Sequence, residues 1–266
     1  MARGGESRQW HRYTPRQRLV RFISYLLFVA VTVWALRSVD IFWPWLFDAP
    51  NAMGDLFGRM VPPDFSRWSD IVRALLETLN IATIATFFAI LMALPVAYIA
   101  AQNTTPNKAF LWLGRFILVS SRSVNTLIWA LLFVAIFGPG VLAGILAITF
   151  RSVGFLGKLL GEAIEEIDRN PVEAIEATGA SRGKVILYAI VPQVVPTFFA
   201  VSILRWDINL RESTVLGLVG AGGIGLLLQG AIDTFQWQVV AAILLAIIVL
   251  VLLGEAISGW LRSKVI

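Results

Sequence analysis

Long apolar runs dominate the chain, and short polar segments separate them. Six runs approach or exceed the roughly 20 apolar residues that a helix needs to cross a lipid bilayer. They cover residues 19–37, 71–101, 109–137, 138–160, 188–211 and 237–261. The pattern predicts an all-α membrane protein with six transmembrane helices. The second and third runs are long enough for tilted helices.

Basic residues lie on one side of this arrangement. The N-terminal region holds a single acidic residue, Glu6, and six arginines, Arg3, Arg8, Arg12, Arg16, Arg18 and Arg21. Because positive charge is retained on the inner side of a membrane, residues 1–18 are predicted to form a cytoplasmic tail. Six spans then place residues 161–187 and the tail 263–266 inside as well. Residues 38–70 and 212–236 are predicted to lie outside.

The first apolar run has an alternative interpretation as a cleaved signal peptide, because it follows a basic leader. The run is longer than a usual signal core, and no small-x-small cleavage site follows it cleanly. We therefore expect residues 19–70 to form a first transmembrane helix and an outer loop. The tryptophans of that loop, Trp43 and Trp45, are typical of an interfacial belt.

Composition supports a lipid environment and excludes several kinds of site. Apolar residues make up 58% of the chain and charged residues 15%, against about 45–50% and about 25% in soluble domains. The sequence has no cysteine, so it can form no disulfide or thiolate metal site. Its one histidine, His11, lies in a polar tail, and we predict no metal site. The net charge of +5 follows the membrane topology, so no nucleic-acid partner is expected.

One polar segment, residues 161–192, interrupts the apolar pattern on the predicted cytoplasmic side. Asn170 and Pro171 are a typical helix start, with the amide as cap and proline in the first turn. Glu173 and Glu176 then suit the first turn, where the helix dipole favours acidic groups. Gly179 can adopt a positive φ and is predicted to end the helix.

A second short helix is predicted to follow Gly179. Ser181 suits its cap, Arg182 and Lys184 lie on it, and Pro192 marks the return to the membrane. A broken amphipathic hairpin of this kind is suited to insertion into a groove on another protein. An ordinary solvated loop is the alternative interpretation.

The same segment resembles the EAA motif of bacterial ABC-importer permeases. Glu173, Ala174, Gly179 and Pro192 are in register with that motif, whereas Ile175, Ala189 and Val191 depart from it by apolar exchanges. Residues 120–148, 151–168 and 211–225 resemble the phosphonate-importer branch, and the last of these stretches is shared with methionine-type permeases. The resemblance covers about residues 70–262, so a permease domain is expected over residues 71–262.

The resemblance implies a type I ABC importer (MetI-like) permease fold in the bacterial inner membrane, with both termini cytoplasmic. It implies a coupling segment that contacts the ATP-binding subunit through Glu173, Ala174, Glu176, Gly179, Ala180, Ser181 and Arg182. The chain has no GxxxxGK[ST] sequence, so it is not expected to bind the phosphates of ATP itself. The resemblance therefore implies a chain that is not an enzyme and carries no cofactor. ATP and Mg belong to the partner. The expected partners are a second copy of the chain in a homodimer, two ATP-binding subunits, a soluble substrate-binding protein and membrane lipid.

Arginines within apolar runs predict a path for an anion, because a charged group inside a span normally faces protein or water. Guanidinium groups also match the oxygens of a phosphonate. The candidate path residues are Ser121, Arg122, Asn125, Arg151, Arg205, Arg211 and Ser213. Structural alternatives remain open for three of them. Arg205 can pair with Asp207 or Glu212. Arg122 can extend to the interface, and Arg151 can bind an acid or a backbone carbonyl.

The glycine run at 217–225 has two interpretations. Small residues at this spacing let helices approach closely, or the run forms a broken, re-entrant loop packed against protein. The second interpretation makes Gly220, Gly222 and Gly223 candidates for a gate or a contact with the binding protein.

The predicted function is import of phosphonate or a related phosphorus oxyanion by alternating access, driven by ATP hydrolysis on the partner. Other cargoes for the same machine are a methionine-like amino acid, phosphate or phosphite. A membrane-embedded enzyme would need an activated nucleophile or a metal cluster, which this composition hardly supplies. A passive channel would leave the polar hairpin unexplained.

Overall fold

The computed structural model describes residues 13–39 and 42–265, apart from the side chain of Val265, and these residues contain no β-strand. The α-helices are α1 (Pro15–Ser38), α2 (Trp43–Met60), α3 (Trp68–Ala100), α4 (Lys108–Ser123), α5 (Thr126–Phe137), α6 (Val141–Glu165), α7 (Arg169–Ala177), α8 (Arg182–Val185), α9 (Val191–Leu216), α10 (Ile224–Asp233) and α11 (Trp237–Val265). A π-helical turn, Ile186–Ile190, joins α8 to α9, and a 3₁₀ turn, Gly217–Val219, follows α9. His11, Glu6, Asp40 and the arginines at 3, 8 and 12 lie outside the described residues.

The described residues contain five helical segments that are long and apolar enough to span a membrane, or six if α4 and α5 count as one broken span. The prediction of six transmembrane helices is therefore confirmed. The third span differs from the sequence-based expectation, because residues 109–137 form two helices that meet at 90°. The side of the membrane on which each terminus lies stays a prediction.

The break between α4 and α5 has a local cause. Val124 is extended, with φ −101° and ψ 135°. Asn125 then caps α5, because its side-chain oxygen accepts a hydrogen bond from the backbone N–H of Leu127 at 3.0 Å. The apolar composition continues on both sides of this cap, so hydropathy alone did not reveal the break.

Contacts divide the chain into two units, which meet in sequence between Asp55 and Leu56. In the first unit, α1 begins with a capping box in which Thr14 and Gln17 satisfy each other's backbone N–H groups. Helix α2 occupies part of the predicted outer loop 38–70, which is therefore more helical than expected.

The second unit is organised around α6, which packs against α3, α4, α5 and α9. Small residues on α6 permit this. A Cβ atom added at Gly154 would lie 2.7 Å from Ser121 Oγ, and one at Gly161 would lie 3.6 Å from Ala97 O. Inside a bilayer the hydrophobic effect does not drive helices together, so close van der Waals packing of this kind stabilises the bundle.

Helix α3 presents a matching row of small side chains. The fully buried members of this row recur every three or four residues and are Ala82, Ala85, Ala89, Ala93 and Ala97. This spacing places them on one face of the helix. The α3–α6 pair is thus the closely packed centre of the second unit.

We predict that Gly225→Ala destabilises the fold. A Cβ atom at Gly225 would meet the carbonyl oxygen of Thr214 and would lie 2.9 Å from the Cα atom of Gly217. Backbone cannot move aside as a flexible side chain can, so overpacking should cost about 1–3 kcal/mol. Tryptophan-fluorescence melting in detergent measures the change.

Gly230→Ala is the matched control, because Gly230 lies on the same helix and has nothing within 4 Å of the added atom. It should melt at or slightly above the wild-type temperature. Equal melting temperatures for the two variants would contradict the close approach at Gly225.

Candidate functional site

A cavity of about 490 Å³ lies beside the bend between α4 and α5. Three arginines from three helices contribute to it, together with one hydroxyl and two apolar side chains. Its lining residues are Val119, Arg122, Ser123, Arg151, Phe155 and Arg205. Three of the predicted path residues are therefore brought together.

The three arginines lie at similar depth in the bundle. At about 1.5 Å per residue, each is about 21 Å from one end of its helix, namely Lys108 for Arg122, Glu165 for Arg151 and Val191 for Arg205. These three ends lie on the same side of the bundle. The α3–α4 turn, which precedes Lys108, and the hairpin that follows α6 are joined by the Arg182 hydrogen bond, and the hairpin is joined to the start of α9 by the Gln193 hydrogen bond. The hydrocarbon core of a bilayer is about 30 Å thick, so the cavity lies within the membrane-spanning part.

Arg151 holds the bend in place. Its Nη1 atom donates to the backbone oxygens of Arg122 at 3.2 Å and Val124 at 2.8 Å. These carbonyls lack helical partners because α4 ends at Ser123, and a helix C-terminus carries partial negative charge. The backbone-carbonyl alternative for Arg151 is confirmed, and it is compatible with a place in the cavity wall.

Arg205 is fixed more tightly and is only 3% exposed. Its Nε atom donates to Ser152 Oγ at 2.8 Å, and its Nη2 atom lies 3.4 Å from Glu212 Oε2. The guanidinium also lies 5.2 Å from the centre of the Phe155 ring. Of the two acidic partners considered for Arg205, the structure selects Glu212.

A chain of hydrogen bonds continues from Arg205 into the core. Ser152 Oγ donates to Asn209 Oδ1 at 3.0 Å, and Asn209 Nδ2 donates to Thr86 Oγ1 at 2.8 Å. The chain links α6, α9 and α3. Sequence reasoning missed Asn209 and Thr86, although a fully buried amide in an apolar run is the signal that could have identified them.

The remaining predicted path residues serve other purposes. Ser121 bonds to the backbone of Phe150 and Gly154, and Asn125 caps α5. Arg211 pairs with Asp207 on the same helix, while Ser213 Oγ bonds to the carbonyls of Leu210 and Thr78. None of the four lines the cavity.

A second cavity of about 370 Å³ lies between α4 and α6, and Val119 lines both cavities. Its cationic side chains each have an acidic partner. Arg115 lies 3.2 Å from Glu165, and Lys158 lies 2.6 Å from Glu162. These named groups balance in charge, unlike those of the first cavity.

The polar hairpin is present, and its backbone break is where the sequence predicts it. Gly179 has φ +75° and follows α7. Val172 and Ile175 are half-buried, whereas Glu173, Ala174 and Glu176 are exposed. Ala180 is half-buried, and Ser181 precedes α8 but makes no side-chain cap bond. The hairpin therefore presents an exposed helix face that the described part of the chain does not cover.

The start of α7 differs from the sequence-based prediction. Asp168, and not Asn170, is the cap, because its carboxylate accepts from Asn170 N at 3.0 Å. Consequently Glu173 and Glu176 lie beyond the first turn. Aspartate and asparagine are equally good caps, so local sequence did not decide between them.

Both ends of the hairpin are anchored to the spans. The side-chain oxygen of Gln193, on α9, accepts from Asp168 N at 2.9 Å. Arg182 Nη2 donates to the carbonyl of Thr104, in the turn between α3 and α4, at 2.6 Å. The guanidinium of Arg182, predicted as a contact for another subunit, is therefore also engaged within the chain.

The glycine run forms a broken loop, and its ends also approach each other closely, because a Cβ atom at Gly225 would lie 2.9 Å from the Cα atom of Gly217. Gly220, Gly222 and Gly223 all have positive φ. Gly223 N donates to Glu77 Oε1 and Ile224 N donates to Thr78 Oγ1, both at 2.8 Å. The loop is therefore packed against α3, as a broken segment requires.

Glu77 was not identified from the sequence. Its carboxylate lies at the N-terminus of α10 and complements the helix dipole.

No group of three or more His, Asp or Glu side chains in the described part of the chain is close enough to hold a metal ion.

Comparison with known proteins identifies relatives over most of the chain. Residues 93–266 match the family described as binding-protein-dependent transport system inner membrane component. The phosphite transport system permease protein PtxC of Stutzerimonas stutzeri is 46% identical over 218 residues, which cover 82% of this chain and 79% of the relative. The phosphate-import permease protein PhnE of Mycolicibacterium smegmatis is 37% identical over 256 residues, which cover 94% of this chain and 47% of that relative.

Solved structures support the fold. The inward-facing MetNI methionine ABC transporter matches with a TM-score of 0.63 at 22% identity, over 74% of this chain and 96% of that chain. A bacterial alginate ABC transporter matches with a TM-score of 0.56 at 16% identity, over 93% of this chain and 97% of that chain. The type I importer permease fold predicted from the sequence is confirmed.

We predict that Asn209→Ala loosens the packing of α3, α6 and α9. The amide joins the hydroxyls of Ser152 and Thr86, so its removal leaves both without this partner. Side-chain hydrogen bonds between membrane helices contribute on the order of 1 kcal/mol, and melting in detergent should fall accordingly.

Asn80→Ala is the control, because Asn80 is an exposed amide on α3. It should leave the melting temperature unchanged. If Asn209→Ala melted like the wild-type protein, the buried hydrogen-bond chain would not contribute to stability.

Proposed function

Because the chain belongs to the family of binding-protein-dependent transport system inner membrane components, we propose that it carries a phosphorus oxyanion into the cell as the permease of an ATP-driven importer. It is a multi-pass bacterial inner-membrane protein. The observation that carries the cargo assignment is the cavity lined by Arg122, Arg151 and Arg205. Forked guanidinium donors match the oxygens of a tetrahedral oxyanion. The phosphite and phosphate named for two relatives are in agreement with this cargo.

The hairpin of α7 and α8 is the proposed docking element for an ATP-binding subunit. Its exposed side chains leave a helix face open, and its anchors at Gln193 and Arg182 connect it to α9 and to the α3–α4 turn. Motion of the ATP-binding subunit would thus be passed to the helices that carry the arginines. ATP hydrolysis belongs to that subunit, and this chain supplies the path.

Two permease units are proposed for the assembly, since one chain presents one hairpin. A homodimer is the simplest arrangement because closed twofold symmetry is the commonest. The PhnE relative is matched over less than half of its length, which leaves room in it for a second such unit. A pair with a different permease is the alternative outcome, and the mass of the purified complex distinguishes the two.

Alternating access is the proposed mechanism. The predicted topology places the hairpin in the cytoplasm and the loop at Gly220, Gly222 and Gly223 outside, where a soluble binding protein would deliver the cargo. Closure of the ATP-binding subunits would draw the two hairpins together and open the path outward. A cysteine introduced at Glu173 should react only with reagents that reach the cytoplasm, which tests this topology in a chain that has no cysteine of its own.

The cargo assignment is tested with the complete complex in proteoliposomes. ATPase activity and uptake are measured with binding protein loaded with phosphite, methylphosphonate or methionine. Stimulation and uptake with a phosphorus compound are expected. Stimulation by methionine alone would overturn the assignment and would favour an amino-acid importer.

We predict that Gly179→Val abolishes ATP-driven uptake while the permease still inserts in the membrane. The added side chain finds nothing within 4 Å in this chain, so the expected harm comes from the φ of +75°. A β-branched residue is strained there. Uptake and co-purification of the ATP-binding subunit are the measurements.

Gly179→Asn is the matched control, because asparagine tolerates a positive φ better than other side chains. It should retain more uptake than Gly179→Val. Normal transport by the valine variant would show that the backbone conformation at this position is not required.

A further inference from the structure

We infer that the arginine-lined cavity is a binding site that selects the dianion of a tetrahedral phosphorus oxyanion over a monoanion. The inference rests on the proposed function and deepens it, because it assigns an intramembrane site and a charge preference within the cargo class. It is carried by the pairing pattern of the three guanidinium groups and not by their number alone.

Charge compensation in the cavity is incomplete. Among the described residues, Glu212 is paired with Arg205, whereas no acidic side chain forms an ion pair with Arg122 or Arg151. Two positive charges therefore remain uncompensated around one space. Coulomb attraction is much stronger in a low-dielectric interior than in water, so an anion with two negative charges is the matching occupant. A monoanion would leave one guanidinium unbalanced.

Each arginine has a distinct part in this site. Hydrogen bonds to Ser152 and Glu212 fix the position of the Arg205 guanidinium in the cavity wall. Arg122 is exposed, and its guanidinium makes no hydrogen bond with the described residues. Its donors are therefore available to an incoming oxyanion.

Arg151 allows an anion to bind next to the bend between α4 and α5. The end of α4 places the carbonyl oxygens of Arg122 and Val124 beside the cavity, where they would repel an anion. Arg151 covers them with Nη1, and a guanidinium has three further N–H donors. Lysine has a single ammonium and cannot cover the carbonyls and bind an oxyanion with the same fork geometry.

The neighbouring cavity supplies a comparison within the same protein. Its cations, Arg115 and Lys158, are each paired with a glutamate. Size and the presence of cations are thus similar in the two cavities, but only the first has positive charge in excess. We place the anion in the first cavity for this reason.

The test uses the purified complex of permease and ATP-binding subunits without binding protein, so that only the permease site is observed. Equilibrium binding of radiolabelled phosphite is measured at a pH above its second ionisation, with hypophosphite, which remains a monoanion, as competitor. Phosphite should bind, and hypophosphite should compete at least about 10-fold more weakly. Arg122→Gln should weaken phosphite binding about 10- to 100-fold, as expected for loss of one charge-assisted hydrogen-bonding partner.

Controls separate a binding role from a structural one. Arg122→Gln should melt like the wild-type protein, because its side chain makes no hydrogen bond with the described residues. Arg151→Lys should bind phosphite more weakly than wild type despite its retained charge. Lys158→Gln, which removes a paired cation from the second cavity, should leave phosphite affinity unchanged.

Three results would overturn the inference. One is hypophosphite binding as tight as that of phosphite. Another is unchanged phosphite binding and unchanged uptake KM in Arg122→Gln. The third is uptake by the wild type without any binding to the isolated complex, which would refute the intramembrane site alone. Failure of the proposed function has a different signature, namely that the wild-type complex takes up no phosphorus oxyanion when its loaded binding protein is present.

Discussion

Charged groups in the middle of an apolar helix bundle are the constraint on which this structure depends. An arginine at the centre of a span costs about 2.5–3.5 kcal/mol on insertion scales, so each must find partners or water. Arg205 finds a hydroxyl, a carboxylate and an aromatic ring. Arg151 finds the two carbonyls that the α4–α5 bend leaves free. The bend and the arginine therefore stabilise each other, because the carbonyls would otherwise lack partners and the guanidinium would lack acceptors.

Small residues make these polar contacts possible. The alanine row on α3 and the glycines on α6 bring the helices so close that short side chains can bridge them. Ser152 reaches Arg205 and Asn209 at hydrogen-bonding distance only because α6 and α9 approach closely. Close helix packing and interhelical hydrogen bonds are thus linked. The close approach of α6 and α9 that stabilises the bundle also fixes one wall of the cavity.

Hydrogen bonds link the hairpin to helices that also line the cavity. The hairpin is fastened to α9 through Gln193 and to the α3–α4 turn through Arg182, and the arginines lie on α4, α6 and α9. A force on the hairpin would move the cavity walls relative to one another. This connection gives a physical basis for the proposed coupling between ATP hydrolysis on a partner and access to the proposed anion site in the membrane.

By itself, the sequence determined the features that depend on local chemistry. Apolar run length predicted the six spans, glycine at 179 predicted the positive φ, and the arginines within apolar runs predicted a polar region inside the bundle. Only the tertiary structure decided which of these residues meet. It placed Ser121 and Ser213 in hydrogen bonds with backbone atoms, selected Asp168 over Asn170 as a cap, and joined Arg205 to Ser152 and Glu212. It also stabilised the break of the third span at Val124, because Arg151 from another helix satisfies the freed carbonyls beside the local cap by Asn125. Helix formation and insertion follow from neighbours along the chain, whereas partners for buried polar groups come from distant residues whose proximity depends on how the helices are arranged.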